Sequence, residues 1–340
     1  MITMRTAVPG GRTPRWRVLL LRAAGLALLA LDAWAQAPAP GSSPEFNPES
    51  LAQAMRRAPV VLLGEVHDNA VQHATRAQAL RILLQGGARP ALAFEQFDRG
   101  QQEQVDRVRS EAGVGVDRRI DRLVALGAHG WNWDLYRPFL RAALEFDLPI
   151  VAADLSRADA MRVAQSGFAA VFDRATIERF GLDHLPESLQ RAQQQAVEAG
   201  HCHRMPESML PAIARAQIAR DATLAWSIEP YAARGVVLLT GNGHVRRDIG
   251  VPHFLPPAVR ARLVGIGLFE GDAAETRADA ASEANAQADP DAGPADAYDV
   301  AFFTPVQARP DPCATLHFGS HDAPAADKPP EPSKDQGTLR

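Results

Sequence analysis

Four short apolar runs, each stopping at a polar side chain, constrain the fold of this chain more than any other feature. Val60-Val61-Leu62-Leu63 stops at Gly64-Glu65-Val66-His67-Asp68, and Ala91-Leu92-Ala93-Phe94 stops at Glu95-Gln96. Pro149-Ile150-Val151-Ala152-Ala153 ends in Asp154, and Gly235-Val236-Val237-Leu238-Leu239-Thr240 ends in Gly241-Asn242-Gly243-His244. Continuous apolar runs of this kind read as strands buried on both faces. Helical patterns separate them, as parallel crossovers require. The expected fold is α/β: a mainly parallel β-sheet flanked by helices, with a helical cap insertion. In such a sheet ligands bind outside the carboxyl ends of the strands. Parallel strands bring those ends to one edge, so the side chains of Glu65, His67, Glu95 and His244 are expected to converge in one pocket. Ordinary helix capping by each acid is the alternative.

The start of the chain reads as a targeting segment. Arg12, Arg15 and Arg17 precede an apolar run that ends near Leu31, and Ala33-Trp34-Ala35 offers a small-x-small cleavage site. Residues 1–35 are therefore expected to be a signal peptide and the mature protein to be exported, periplasmic where that compartment exists. The apolar run is too short to span a bilayer, so no transmembrane span is expected in the mature chain. Residues 36–47 read as a linker and 48–317 as one α/β domain. Within it, 271–296 is Ala/Asp/Glu-rich and aperiodic and reads as a disordered insert; 318–340 reads as a disordered tail. The net charge of −4 carries no signal for nucleic-acid binding. The two cysteines, Cys202 and Cys313, are a disulfide candidate in an exported protein, with two free thiols the alternative. The pairing would tie the helical cap to the last strand. Neither cysteine lies near the signal segment, so a lipid anchor is not expected.

Between and beyond the four runs, further residues bear on the site. His73 falls in the first turn of a helix over 71–84 and reads as solvated, with a position overhanging the site as the alternative. Gly130-Trp131-Asn132-Trp133-Asp134-Leu135-Tyr136 packs two Trp and a Tyr together, with Asn132 as the N-cap of the next helix. Such a cluster is core packing or an apolar wall for a flat ligand. Residues 155–234 carry no strand signal and form the cap. They contain His201-Cys202-His203, which reads as a metal pair or a structural turn, and a helix over 206–227 on which Gln217 and Asp221 share a face. Further strands are expected over 261–269 and 297–304.

Two imidazoles and two carboxylates suffice as nitrogen and oxygen ligands for a divalent metal ion. They suffice equally as general acid and base groups. Gly241-x-Gly243 before His244 lets backbone approach a ligand closely, and Arg246 and Arg247 suit a carboxylate or phosphate. The glycine spacing is not that of a phosphate loop, and no Gly-x-Ser-x-Gly elbow occurs.

Several of these stretches together resemble the ChaN family. They are Leu63-Gly64-Glu65-Val66-His67-Asp68-Asn69, Phe94-Glu95-Gln96-Phe97, Trp131-Asn132-Trp133-Asp134-Leu135-Tyr136, Ala216-Gln217-Ile218-Ala219-Arg220-Asp221-Ala222, Gly241-Asn242-Gly243-His244-Val245-Arg246 and Asp311-Pro312-Cys313. That family belongs to the haem-binding-uptake/Tiki superfamily, which also includes relatives of erythromycin esterases. The resemblance runs over 51–313. It implies a parallel-sheet core, an exported protein tied to iron regulation, and haem as the ligand, bound in a homodimer. Trp131, Tyr136, Asn242 and Arg246 are the candidate cofactor-binding residues on this reading. The Tiki branch implies the alternative function, metal-dependent hydrolysis, at the positions matching Glu65, His67, Glu95 and His244. Family members are often lipoproteins, and this chain departs from them in lacking a lipobox cysteine.

Overall fold

A computed structural model describes residues 45–271 and 297–315. The signal segment, most of the linker, the insert and the tail lie outside the described residues. In chain order the elements are α1 (Pro48–Met55), β1 (Val60–Leu63), α2 (Ala70–Gln85), β2 (Ala91–Asp98), α3 (Gln102–Arg109), α4 (Val116–Leu126), α5 (Trp133–Glu145) and β3 (Ile150–Asp154). There follow α6 (Arg157–Ser166), α7 (Arg174–Phe180), α8 (Glu187–Gly200), α9 (Leu210–Ile228) and β4 (Val236–Leu239). The short helices α10 (Asn242–Val245), α11 (Val251–Phe254) and α12 (Pro257–Arg260) lead to β5 (Leu263–Glu270) and β6 (Val300–Thr304).

The described strands form one six-stranded sheet in the order β3-β2-β4-β1-β5-β6, parallel throughout. All four residues of β1 are buried, as the unbroken apolar run requires. Alternate residues feed two cores. Val61, Leu63, Leu92 and Phe94 pack with α1 to α5, whereas Val60, Leu62, Ala91 and Ala93 pack with α6, α7 and α9. The result is helices on both faces of a parallel sheet. Of the insertion expected to cap the strand ends, α6, α7 and α9 supply the second helical layer. Val197 of α8 joins Met205, Leu210 and Ala214 in a small cluster of their own.

Helix starts follow local chemistry. Asn47 and Asn69 accept hydrogen bonds from the N–H groups of Ser50 and Gln72 at 2.8 and 2.9 Å, capping α1 and α2. Asn132 occupies the N-cap of α5 as expected, although its side chain makes no capping bond. The register then sets the rim of the sheet. Leu63, Leu239 and Phe94 stand side by side on β1, β4 and β2. The next residue on each strand, Gly64, Thr240 or Glu95, opens the carboxyl edge. One expectation needs correction: β2 does not stop at Phe94 but runs to Asp98, with an irregularity between them where it pairs with β3. Gln96 and Phe97 are fully buried, and that burial carries the strand on.

Cys202, in the turn after α8, is bonded to Cys313, beyond β6, with a Cα–Cα distance of 5.7 Å. The expected disulfide is present and ties the helical insertion to the segment after the last strand.

Candidate functional site

The carboxyl edge carries two buried clusters, one on each face of the sheet. On the α2/α5 face, Glu65 is the centre. Its Oε2 receives the Arg76 guanidinium and its Oε1 the Tyr136 hydroxyl, while His67 Nδ1 lies 2.9 Å from Oε1. Arg76 is fully buried, spends its second nitrogen on Leu63 O at 3.0 Å, and lies 5.4 Å from the Phe139 ring centroid. Burial would raise the Glu65 pKa, but Arg76, the hydrogen bond from His67 and the neighbouring His73 outweigh it and hold the carboxyl below its ordinary range. Tyr136 is pushed the other way, by burial and by the Glu65 charge, so it stays a protonated donor.

On the α9 face, Glu95 accepts from Arg220 Nη2 at 2.9 Å, Thr240 Oγ1 at 2.7 Å and the Gly241 N–H at 2.8 Å. Burial opposes its charge, but His244 and Arg220 overcome that and bring its pKa down to about 2. Arg220 also reaches Asp154 at 2.5 Å. Asp154 is nevertheless pushed up to about 7, because burial, with the Glu95 charge behind it, outweighs Arg220. His244 lies 2.7 Å from Asp221 through Nδ1 and 3.6 Å from Glu95 through Nε2. Burial works against the imidazolium, yet Asp221 and Glu95 together push His244 up to about 9.

His67 and Gly241 join the two clusters. The N–H of Gly241 serves Glu95, while a Cβ on Gly241 would come within 2.9 Å of His67 Cε1 and 3.0 Å of Nε2. A side chain there would have to push the imidazole aside. The His67 side chain is 50% exposed and meets the Trp131 ring edge-on at 4.7 Å. Partial burial opposes its charge, but the hydrogen bond to Glu65 and the Glu95 charge raise its pKa. Its Nε2 has no hydrogen-bond partner among the described residues.

These partners decide what the residues can hold. Glu65 and Glu95 are neutralised by guanidinium groups and hydrogen-bonded on both oxygens, and His244 Nδ1 is taken by Asp221. Among the described residues no group of three or more His, Cys, Asp or Glu side chains is set to hold a metal ion. The ligand set expected for a divalent metal therefore does not fit, because arginine supplies the positive charge that a cation would. His67 differs: its Nδ1 is held by a carboxylate, while its Nε2 lies against Gly241 and has no hydrogen-bond partner among the described residues.

Known proteins give the family. The family model described as "Haem-binding uptake, Tiki superfamily, ChaN" matches residues 51–255. The chain belongs to the ChaN family. Among solved structures, ChaN of Campylobacter jejuni, described as binding haem cofacially, is similar at 18% identity, covering 66% of this chain and 86% of that one with a TM-score of 0.54. An erythromycin esterase aligns at 13% identity over 65% of this chain and 72% of its own, with a TM-score of 0.36. No curated protein matches the chain.

Within this ChaN-family chain the structure brings Glu65, His67, Glu95 and His244 to one edge, with Trp131 beside His67. Other candidates point elsewhere. Tyr136 is fully buried and serves Glu65 rather than an open wall. Asn242 is a staple to β5, with its amide bonded to Leu268 O at 2.5 Å and Leu268 N at 3.0 Å. Arg246 is held by Asp248 at 2.6 and 3.0 Å, and Arg247 by Asp299 at 2.7 and 2.8 Å, so neither guanidinium fork awaits an anion. His73 is buried rather than solvated. It bonds to His67 O at 3.1 Å, and burial and Arg76 bring its pKa down to about 4. In the His201/His203 turn, His201 bonds Val197 O at 2.6 Å and His203 lies 3.6 Å from Glu198. Two site residues, Arg76 and Arg220, are not picked out by sequence reasoning. For Arg220 a signal exists, since it stands next to Asp221 in the 216–222 stretch; Arg76 has none.

Proposed function

We propose that this ChaN-family protein is an exported haem-handling protein whose iron ligand is His67, with Trp131 as the wall beside it. The observation that carries the reading is His67 itself. It is half-exposed at the carboxyl edge, Glu65 holds Nδ1, Nε2 has no partner among the described residues, and the ring lies against the Cβ-less Gly241. A carboxylate on Nδ1 would orient the ring and raise its basicity as a nitrogen ligand. Bound haem would supply an iron centre that takes such a nitrogen ligand. Arg76 keeps Glu65 ionised, Tyr136 donates to the same carboxylate, and Trp131 meets the His67 ring edge-on. The family's haem binding and the half-exposed aromatic edge both favour a flat, largely apolar ligand. Export is supported by the charged and apolar start of the sequence and by the Cys202–Cys313 bond, which suits an oxidising compartment. Among the described residues no helix is long and apolar enough to cross a membrane.

Haemin titration followed at the Soret band tests the reading. Saturable binding in the wild type and at least tenfold weaker binding in His67→Ala or Trp131→Ala is expected. Absorbance that never saturates would overturn it. Sedimentation velocity on the same samples tests whether haemin brings two copies together, as the family resemblance implies.

A second reading, hydrolysis, is favoured by the Asp221–His244 pair facing Glu95, which haem handling does not use. In that reading the groups act as acid and base without a divalent metal, since arginines already neutralise the carboxylates. Turnover of a chromogenic ester in chelator-treated protein, abolished in His244→Gln, is its expected signature.

A further inference from the structure

The loop that carries His67 is held from outside the sheet. Between β1 and α2, Asp68 to Gln72 are gripped by the segment that leaves β6. Gln307 donates to Asp68 O at 2.9 Å and accepts from the Ala70 N–H at 2.9 Å. Arg309 lies 2.8 Å from Asp68 Oδ2 and binds both oxygens of Glu270, which in turn accepts from Asn69 at 2.5 Å. Gln72 bonds to Thr304 at 3.1 Å and accepts from the Val66 N–H at 2.8 Å. This strap then ends at Cys313, bonded to Cys202. Cys202 belongs to the turn that leads into α9, the helix bearing Arg220 and Asp221. One covalent bond therefore links the strap on the His67 loop to the helix that serves Glu95 and His244.

Three features make that bond a control point. Both cysteines are only half-buried, so the bond is not sealed in the core. Cys202 and His203 adopt φ of 56° and 53°, two successive non-glycine residues in the left-handed region that L side chains rarely adopt. The strap's remaining hold on the loop is polar and partly exposed, with Asp68 57% and Arg309 23% exposed, and such bonds are weak without a tether.

We propose that Cys202–Cys313 is a redox latch on the His67 loop. A thiolate of a dithiol reductant attacks one cysteine sulfur, forming a mixed disulfide and expelling the other as a thiolate. The reductant's second thiol displaces the first, so the reductant ends as a disulfide and Cys202 and Cys313 as thiols, with two electrons and two protons transferred. The strap then frees the 66–72 loop, and ligand held at His67 leaves faster. The last consequence rests on the haem reading; the loosening of the loop does not.

Amide hydrogen exchange of the full chain, oxidised and after dithiol reduction, tests the latch. Exchange over 66–72 should rise at least tenfold on reduction while β1, β2 and β4 keep their protection, and reoxidation should reverse it. The Cys202→Ser/Cys313→Ser double variant should match the reduced wild type. Haemin transfer to apomyoglobin should accelerate at least fivefold on reduction. Unchanged exchange over 66–72 with both thiols titrated free overturns the latch, as does a uniform rise across the sheet. An unchanged transfer rate overturns the gating. Protein that binds no haemin in either state refutes the haem reading instead, and the exchange data still decide the latch.

Discussion

His67 lies so close to the backbone of Gly241 that a Cβ there would sit 2.9 Å from its Cε1 and 3.0 Å from its Nε2. The two residues come from the ends of adjacent strands, β1 and β4, and their contact joins the Glu65 cluster to the Glu95 cluster. Gly241 has an ordinary negative φ of −67°, so the demand for glycine is steric and not conformational. Gly241→Ala should therefore displace the imidazole, cost about 1–3 kcal/mol in urea unfolding through overpacking, and weaken haemin binding at least tenfold. A variant with wild-type affinity would show that Nε2 does not face the ligand.

Arg76 is a fully buried cation against the buried Glu65 carboxylate. Removing it strands the charge, so Arg76→Ala should cost roughly 3–5 kcal/mol in unfolding experiments, the usual consequence of breaking a buried pair. The double variant Arg76→Met/Glu65→Gln should lose less than Arg76→Ala alone, because neither charge is then left behind. Additive losses would argue against a pair.

Haemin affinity should depend on pH through His67. Partial burial works against its charge, but the Glu65 hydrogen bond and the Glu95 charge raise its pKa, so the imidazolium persists above the ordinary 6.5. A ligating nitrogen must be deprotonated. Affinity should therefore fall as pH falls through neutrality, and Glu65→Gln should move the midpoint to lower pH. Titrations at pH 6, 7 and 8 giving equal affinities would contradict this.

Stability should decline on the alkaline side through His244. Its folded-state pKa of about 9 exceeds the ordinary 6.5, so its stabilisation is complete below about 6.5 and lost as pH rises through 9. The shift corresponds to a loss on the order of 3 kcal/mol across that window. His244→Gln should start less stable and show a flatter profile from pH 7 to 9.5. Parallel profiles would mean that His244 is not charged in the folded state.

The strands and the rim are legible in the sequence because an unbroken apolar run of four or five residues between helical patterns suits little besides a strand buried on both faces. Each run stops one residue before the edge that Gly64, Glu95 and Thr240 form. The parallel sheet and the family follow from the same residues. Partnership is what periodicity does not carry. An arginine on a helix reads as solvated until the fold buries it, so Arg76 carries no mark of its role and Arg220 only its place beside Asp221, and the acids they neutralise read as ligands for a metal ion. His73 reads as solvated for the same reason. Arg246 and Arg247 read as free because nothing identifies Asp248 and Asp299 as their partners before the chain folds. The strand order, with β4 between β1 and β2, depends on pairing across long separations that periodicity does not record.

The central claim is that His67 is the nitrogen donor to haem iron, and resonance Raman spectroscopy of the haemin complex measures it most directly. The wild type should give the signature of a histidine-ligated iron, shifted by uniform ¹⁵N-histidine labelling. His67→Ala should lose that signature and regain it on addition of free imidazole, with circular dichroism showing the fold intact. A histidine-ligated spectrum that persists unchanged in His67→Ala would contradict the account.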